Sequence, residues 1–459
     1  MLSLLFIFGF FLILFILFIL TIKSNINLLI PTIPSVFIWS YIVFAYIGIM
    51  PLFFFWNDYR YAIGINDQEK ILMLWGYSSL SILIVTSVFF FMSNVLNIKL
   101  VRNYKDSKVV LNRRARLGMY FLFILSLGVL FSYISQIPAI PLIEQFKGAT
   151  SEELAKFRSM ATNAFSGGLH WYRLFYSSVL TFISYYAFSL VIKEKTIVNW
   201  TFFLMTFLVT SFASLMSTAK APFIWYVMGL VIVYLISKRK VIGIKAILLI
   251  GGIASISLII MYKKFMGLDD RPLSDIFMTI FSRTFTGQIS PAYFYIEMFP
   301  NYEDFLLGKS LPNIGGIFPY EPYRITVEVM NYMHPTLSEK GVVGSAPTVF
   351  WAEMYANFGF AGIVITSLVV GVLLYLLQFI IFKLSFNPIT VAYVTFLILK
   401  FKDLALTGFG RFIFDIDIIV LTMFTAILLL LNMNLRQLIN NIKGLNKDFK
   451  KILVKESIR

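Results

Sequence analysis

The run GSAPTVFWAEMYANFGFAGIV, residues 344–364, places a carboxylate, Glu353, near the head of an otherwise apolar helix. An ionisable group there is costly, so it either does chemistry or finds a partner. A carboxylate can accept the proton of an attacking hydroxyl, and an imidazole can do the same. The chain has two histidines, His334 in MNYMHPT and His170 in GGLHWYRLF. His334 is the second candidate for that proton, and His170 is a candidate for substrate contact. Four cations are placed to meet an anion: Arg173, Lys220 in SLMSTAKAPFIW, Arg283 in an apolar amphipathic run, and Arg411 in TGFGRFIFDID. Guanidinium groups suit the delocalised charge of a diphosphate. Each group also has a plainer reading. Arg173 can anchor an interface beside Trp171 and Tyr172, and Lys220 can snorkel. Arg411 can pair with Asp415 at i+4, His334 can be a polar loop residue, and Glu353 can pair with an arginine.

Composition limits the chemistry further. The absence of cysteine removes disulfides, thiolate catalysis and cysteine-ligated metals, and two histidines are too few for an imidazole cluster, so no metal is expected. No glycine-rich phosphate loop follows a strand-like run, so no nucleotide cofactor is expected either. Of the 459 residues, 59% are hydrophobic and 14% charged, against about 45–50% apolar in soluble domains. The expected fold is therefore an all-α polytopic membrane protein.

Apolar runs of about 20 residues span roughly 30 Å of hydrocarbon at about 1.5 Å per residue. Eleven are read here: 2–22, 28–55, 71–96, 117–137, 171–192, 198–216, 222–237, 242–262, 348–382, 388–408 and 411–432. The first lacks a basic leader region and a cleavage site, so it reads as a retained helix. Alternate connections and the carboxyl tail hold 22 basic residues against 4 acidic ones; the rest of the chain keeps 17 basic and 19 acidic. The net charge of +16 is thus a topology signal, with no nucleic-acid partner implied. It predicts the amino terminus outside and the carboxyl terminus inside.

This organisation divides the chain into helices over 1–262, a large outer loop over 263–347, helices over 348–432 and a basic tail over 433–459. Two outer segments are long enough to hold structure. Within 138–170, Thr150 and Glu153 have capping-box spacing, Leu154, Phe157, Ala161 and Phe165 recur at helical spacing, and Gly167-Gly168 supplies a stop. The 263–347 loop is too long for a structureless connection. Its sequence predicts an apolar helix centred on Arg283, then an ordered, irregular lid in GKSLPNIGGIFPYEPYR. From Pro347 to Phe382 a continuous helix would run about 54 Å, which sets Glu353 about 15 Å beyond a minimal span beginning at Ile363. Gly359 and Gly362 would let that helix bend or a neighbour approach.

The run DFLLGKSLPNIGGIFPY, followed by GSAPTVFWAEMYANFGFAGI, resembles the Wzy-type O-antigen polymerases, the oligosaccharide repeat-unit polymerases. In that family a G-S-x-P-T segment leads into E-x-Y-x-N-F-G-x-x-G. Here these are Gly344, Ser345, Pro347 and Thr348, then Glu353, Tyr355, Asn357, Phe358, Gly359 and Gly362. The resemblance implies a GT-C-like glycosyltransferase of the bacterial inner membrane that joins repeat units carried on undecaprenyl diphosphate. It also implies lipopolysaccharide or capsule synthesis, a chain-length regulator as partner, and no nucleotide sugar. Lys220 and Arg283 match basic positions of the family, with lysine at 220 where arginine is expected. The surroundings of His334 do not match the outer-loop histidine of the related ligases.

The reaction so implied moves the growing glycan from its lipid diphosphate to a hydroxyl of the next lipid-linked unit. Fixed cations, Arg283, Arg173, Lys220 and Arg411, would stabilise the departing diphosphate. Glu353, and after it His334, would take the proton, with Tyr355, Asn357 and His170 as further substrate contacts. Two other activities fit the same chain: an O-antigen ligase, and a lipid-oligosaccharide flippase or other transporter. A transporter would set its charges nearer the bilayer midplane.

Overall fold

The computed structural model describes residues 1–56, 58–98, 100, 111–162, 165, 168–241, 243, 252, 256, 259, 260, 272–339 and 344–433. Within them the long elements are helices: α1 (Leu2–Lys23), α2 (Ile33–Phe53), α3 (Gln68–Val95), α4 (Arg113–Gln136), α5 (Ser151–Ala161), α6 (Leu169–Lys193), α7 (Ile197–Leu215) and α8 (Lys220–Lys238). They continue as α9 (Leu273–Phe281), α10 (Gly287–Met298), α11 (Ile325–Met333), α12 (Phe350–Lys383), α13 (Pro388–Phe401), α14 (Gly410–Ile413) and α15 (Ile416–Asn432). Among the described residues nine helical stretches are long and apolar enough to cross a membrane, the last running Gly410–Asn432 across a break at Phe414. The chain is thus a multi-pass membrane protein.

The run 242–262 falls almost wholly outside the described residues, as does the basic tail. The run 388–408 is not one helix: α13 has 14 residues, about 21 Å, and gives way to a 3-10 turn over Lys402–Ala405. That turn carries Lys402, which is buried, and Asp403, which is half-buried. Within the final span, Phe414 leaves helical geometry at φ −138° and ψ 61°, which separates α14 from α15.

The chain forms two compact units. The first comprises Met1–Tyr104, Arg239–Leu384 and Leu397–Asp415. In it α12 lies along α3 at close range: a Cβ on Gly371 would stand 2.8 Å from the Val88 Cβ, and Ser81 and Ser367 share a hydroxyl bond of 2.8 Å. Buried serines and glycines allow such packing between helices that have only apolar neighbours. The α2 amino terminus is fixed by reciprocal bonds between Thr32 and Ser35, and the Ile33 N–H donates to Gln378 at 2.8 Å. The helix expected around Arg283 forms as α9 and α10 joined by a π turn, Ser282–Thr286, with Arg283 exposed in the turn.

The second unit comprises Lys105–Lys238, Ser385–Phe396 and Ile416–Arg459. Its core is α6 against α7 and α8, tied by Ser184 to Tyr226 at 2.6 Å and by the Tyr185 hydroxyl to the Tyr226 carbonyl at 3.2 Å. The Thr150–Glu153 capping box is present in both directions on α5, and Leu154 and Ala161 are buried as the spacing predicts. That helix stops at Ala161, before the glycine pair, where Thr162 turns to φ −128° and ψ −84°.

Candidate functional site

The site lies in the first unit and is built around the start of α12. The strand-like segment before it is pinned by its backbone: Ala346 N–H donates to the Thr326 carbonyl at 2.8 Å, and the Ala346 carbonyl accepts from the Tyr295 hydroxyl at 3.4 Å. The Thr348 hydroxyl donates to the Gln288 carbonyl at 3.1 Å. These bonds deliver the chain to Phe350 in a fixed direction, and Glu353 follows in the first turn.

Glu353 is 7% exposed, so its carboxylate needs donors. It has two. The Ser310 hydroxyl donates to Oε1 at 3.0 Å, and the Gly410 N–H donates to Oε2 at 2.7 Å. Asn357, one turn on, sets the first: its amide nitrogen donates to Ser310 Oγ at 2.7 Å and to the Glu353 carbonyl at 2.7 Å, while its oxygen accepts from Gly308 N–H at 2.9 Å. With Asn357 donating into Ser310, the single hydroxyl proton of Ser310 points at Glu353. Both carboxyl oxygens therefore act as acceptors. No arginine or lysine pairs with Glu353 among the described residues; its partners are neutral.

The carboxylate is reached from a cavity of about 510 Å³, within the range of about 300–1,000 Å³ usual for ligand sites. Glu353, Asp403 and Arg411 are its charged lining; Gln288, Thr326, Ser345, Thr348 and Thr407 are among the polar groups. Gly408 forms the wall nearest the carboxylate, where a Cβ would stand 2.8 Å from the Glu353 Cδ. Asp403 is held in an ion pair with Lys402, itself only 3% exposed. The Arg411–Asp415 pair suggested by the sequence does not form, because α14 is a single turn that ends between them; Asp415 pairs with Lys400 at 3.1 Å instead. Arg411 is exposed to the cavity and makes no ion pair among the described residues.

α12 is not the straight rod that placed Glu353 15 Å above a minimal span. Phe358 and Gly359 leave helical geometry, Gly359 at φ 60°, and the piece carrying Glu353 is packed within the protein. The break lets the loop before it dock: Leu306 and Leu307 N–H groups donate to the Ala356 and Asn357 carbonyls, each at 3.0 Å.

Of the residues singled out by sequence, Glu353 and Arg411 meet in this cavity. Tyr355 does not line it; the ring packs against Tyr77 and the hydroxyl bonds the Phe299 carbonyl at 3.2 Å, a packing role. Asn357 acts behind Glu353 through Ser310. Arg283 and His334 belong to the same unit but do not line the cavity. His334 closes α11 at its carboxyl end, its N–H on the Met330 carbonyl at 3.0 Å. Arg283 lies close enough to Arg60 that burial of Arg60 and, after it, the Arg283 charge hold the Arg60 guanidinium below its ordinary pKa. Arg173, His170 and Lys220 are in the second unit: the first two exposed in the opening turn of α6, the third half-buried at the head of α8.

Asp403, Ser310, Gln288 and Gly408 complete the site beyond the residues that the sequence singles out. The signal for Asp403 was the string KFKD, three charges in four residues inside an assumed span. Nothing in the sequence marked Ser310 or Gln288, whose roles come from folding alone. Among the described residues no three His, Asp or Glu side chains gather to hold a metal ion. No family model matches the chain, and no curated protein or solved structure matches it either.

Proposed function

We propose that the chain is a membrane glycosyltransferase of the Wzy type, which extends a surface polysaccharide from repeat units carried on undecaprenyl diphosphate. The observation that carries the proposal is one cavity in which the G-S-x-P-T segment, the Glu353 carboxylate and the Arg411 guanidinium converge. In the step proposed, the acceptor sugar O–H gives its proton to Glu353 as its oxygen bonds the anomeric carbon of the growing glycan. The bond from that carbon to the diphosphate breaks, and the electron pair leaves with the lipid diphosphate, whose charge Arg411 meets. Ser310 and the Gly410 N–H keep the carboxylate turned toward the acceptor, and no nucleotide enters the balance. The reading places this cavity on the outer side of the inner membrane, with a chain-length regulator as partner.

Deleting the gene and analysing lipid-linked and surface glycans tests the proposal. Single capped repeat units in place of long polymer are the expected result. Long polymer left unattached to its final lipid would make the chain a ligase, and repeat units trapped inside the cell would make it a flippase; either outcome ends the polymerase reading.

A further inference from the structure

The segment 308–324, which brings Ser310 to Glu353, carries a tight turn at its far end. The Asn313 side chain holds that turn from within. Its amide nitrogen donates to the Phe318 and Tyr320 carbonyls, each at 2.9 Å, and its oxygen accepts from the Phe318 N–H at 3.0 Å. Gly315 and Gly316, at φ 68° and 67°, let the backbone reverse inside this frame. Ile314, Ile317 and Phe318 are 50%, 78% and 54% exposed, and the run 314–319, IGGIFP, carries no charge. Three large apolar side chains held out together on an irregular loop mark a surface that another phase or molecule covers.

What covers it follows from where the turn is tied. Phe318 stacks on Tyr320 with ring centroids 5.8 Å apart, and the Tyr320 hydroxyl donates to the Gly308 carbonyl at 3.2 Å. A Cβ on Gly308 would stand 3.7 Å from the Phe358 Cζ, and the Leu307 N–H donates to the Asn357 carbonyl. The turn is thus joined by successive contacts to the break in α12. From Gly359 to Lys383 that helix runs about 36 Å, against roughly 30 Å of hydrocarbon, so the break stands at the edge of the bilayer. Exposed apolar side chains run on from there: Leu307, Phe358 and Phe360 at the break, then Ile365 along the span. An uncharged apolar turn continuous with a lipid-facing surface, and stacked on a tyrosine, has the composition of an interfacial anchor.

We infer that the 314–318 turn inserts into the interfacial layer of the bilayer, with Ile314, Ile317 and Phe318 among the headgroups and upper acyl chains. The bilayer then fixes this segment at its far end, while the bond from Ser310 to Glu353 fixes it at the near end. The inference uses the membrane-spanning character of the chain and stands independently of the glycan-transfer reading.

The chain has no cysteine, so Ile317→Cys and Phe318→Cys each accept a single bimane label. The labelled full chain is placed in nanodiscs of phosphatidylcholine and phosphatidylglycerol, brominated either near the headgroup or at the acyl chain ends. Quenching by bromine is compared with quenching by aqueous iodide, and a label at Ile365 serves as the lipid-facing reference. Headgroup-proximal bromine is expected to quench both turn labels about twofold more than chain-end bromine, and iodide about fivefold less than in the denatured chain. Iodide quenching equal to that of the denatured chain, without bromine quenching, overturns the inference. Shielding from both quenchers overturns it too, because a protein surface would then cover the turn. A variant with Ile317→Asp and Phe318→Asp should exchange its amides over 308–323 about tenfold faster in the same nanodiscs, with α3 unaltered as the check on folding. Leucine at both positions should leave exchange at the native rate, and a native rate in the aspartate variant would show that the bilayer does not hold the segment.

Discussion

Replacing Gly408 by alanine probes how Glu353 is held. Gly408 does not have positive φ, so the backbone accepts a Cβ, and the three nearest atoms that Cβ would meet all belong to Glu353. That Cβ would stand 2.8 Å from the Glu353 Cδ and 3.2 Å from its Cβ, with Oε2 nearer still, where carbon pairs prefer about 3.5–4.0 Å. The carboxylate must retreat by about 1 Å, which breaks or stretches its 2.7 Å bond from the Gly410 N–H. A hydrogen bond to a charged acceptor contributes about 1.5–3 kcal/mol and overpacking costs about 1–3 kcal/mol, so a loss of about 3 kcal/mol is expected. A misplacement of about 1 Å also lowers turnover about a hundredfold. The assay is a double-mutant cycle on the full chain in detergent, read by denaturation. Gly408→Ala should cost about 3 kcal/mol in the native background and less than about 0.5 kcal/mol where Glu353 is already alanine. Equal costs in the two backgrounds, or full glycan extension by Gly408→Ala, would refute the packing of Gly408 on the carboxylate as the reason for glycine there.

Three other outcomes follow from the same geometry. Arg411→Lys should lower glycan extension at least tenfold and Arg283→Lys much less, since only Arg411 lines the cavity; an equal effect in the two would remove the distinction. Asn357→Ala should destabilise the chain by about 2–3 kcal/mol in denaturant, because it leaves the Gly308 N–H without its acceptor and frees Ser310 to rotate; an unchanged midpoint would contradict that. For α5, the Thr150 backbone N–H and then its hydroxyl hold the exposed Glu153 carboxylate below its ordinary pKa. Its contribution to α5 is therefore fully present above the ordinary carboxylate range and lost as pH falls through the lowered value. Amide exchange over 151–161, corrected for intrinsic rates, should lose protection only in that acid window, and Glu153→Gln should flatten the dependence.

Periodicity and capping chemistry are local, and they made most of the fold legible: nine of the expected apolar runs form spanning stretches, and the Thr150–Glu153 box forms as spaced. What failed depended on tertiary burial. The 388–408 run looked like a span because buried and lipid-facing leucines are indistinguishable in sequence. Where α13 gives way to a 3-10 turn, Lys402 and Asp403 pair with each other, a contact that hydropathy does not reveal. Glu353 was legible as a costly carboxylate, but a rise of 1.5 Å per residue could not show the Gly359 break or the burial it permits. Its partners Ser310 and Gly410 come from segments 43 and 57 residues away, separations at which spacing carries no information. Arg411 was legible as a cation, and its alternative reading as a pair with Asp415 does not hold, since the i,i+4 rule assumes a continuous helix.

The charges of the cavity lead to one more expectation. Lys402 offsets Asp403, so an entering diphosphate, with about two negative charges, meets Arg411 as attraction and Glu353 as repulsion. A sphere of 510 Å³ is about 10 Å across. At that distance and an effective dielectric constant of about 20, two like-charge pairs cost about 3 kcal/mol before screening. A Debye length of about 8 Å reduces this to about 1 kcal/mol. Glu353→Gln, which keeps the shape and removes the charge, should therefore bind the lipid diphosphate about fivefold more tightly while turnover falls by about 10²–10⁴ through loss of the proton acceptor. Binding by equilibrium titration and single-turnover transfer separate the two effects. Weaker binding together with lost turnover would mean that Glu353 contacts a sugar hydroxyl in the ground state, and unchanged turnover would remove it from the proton transfer altogether.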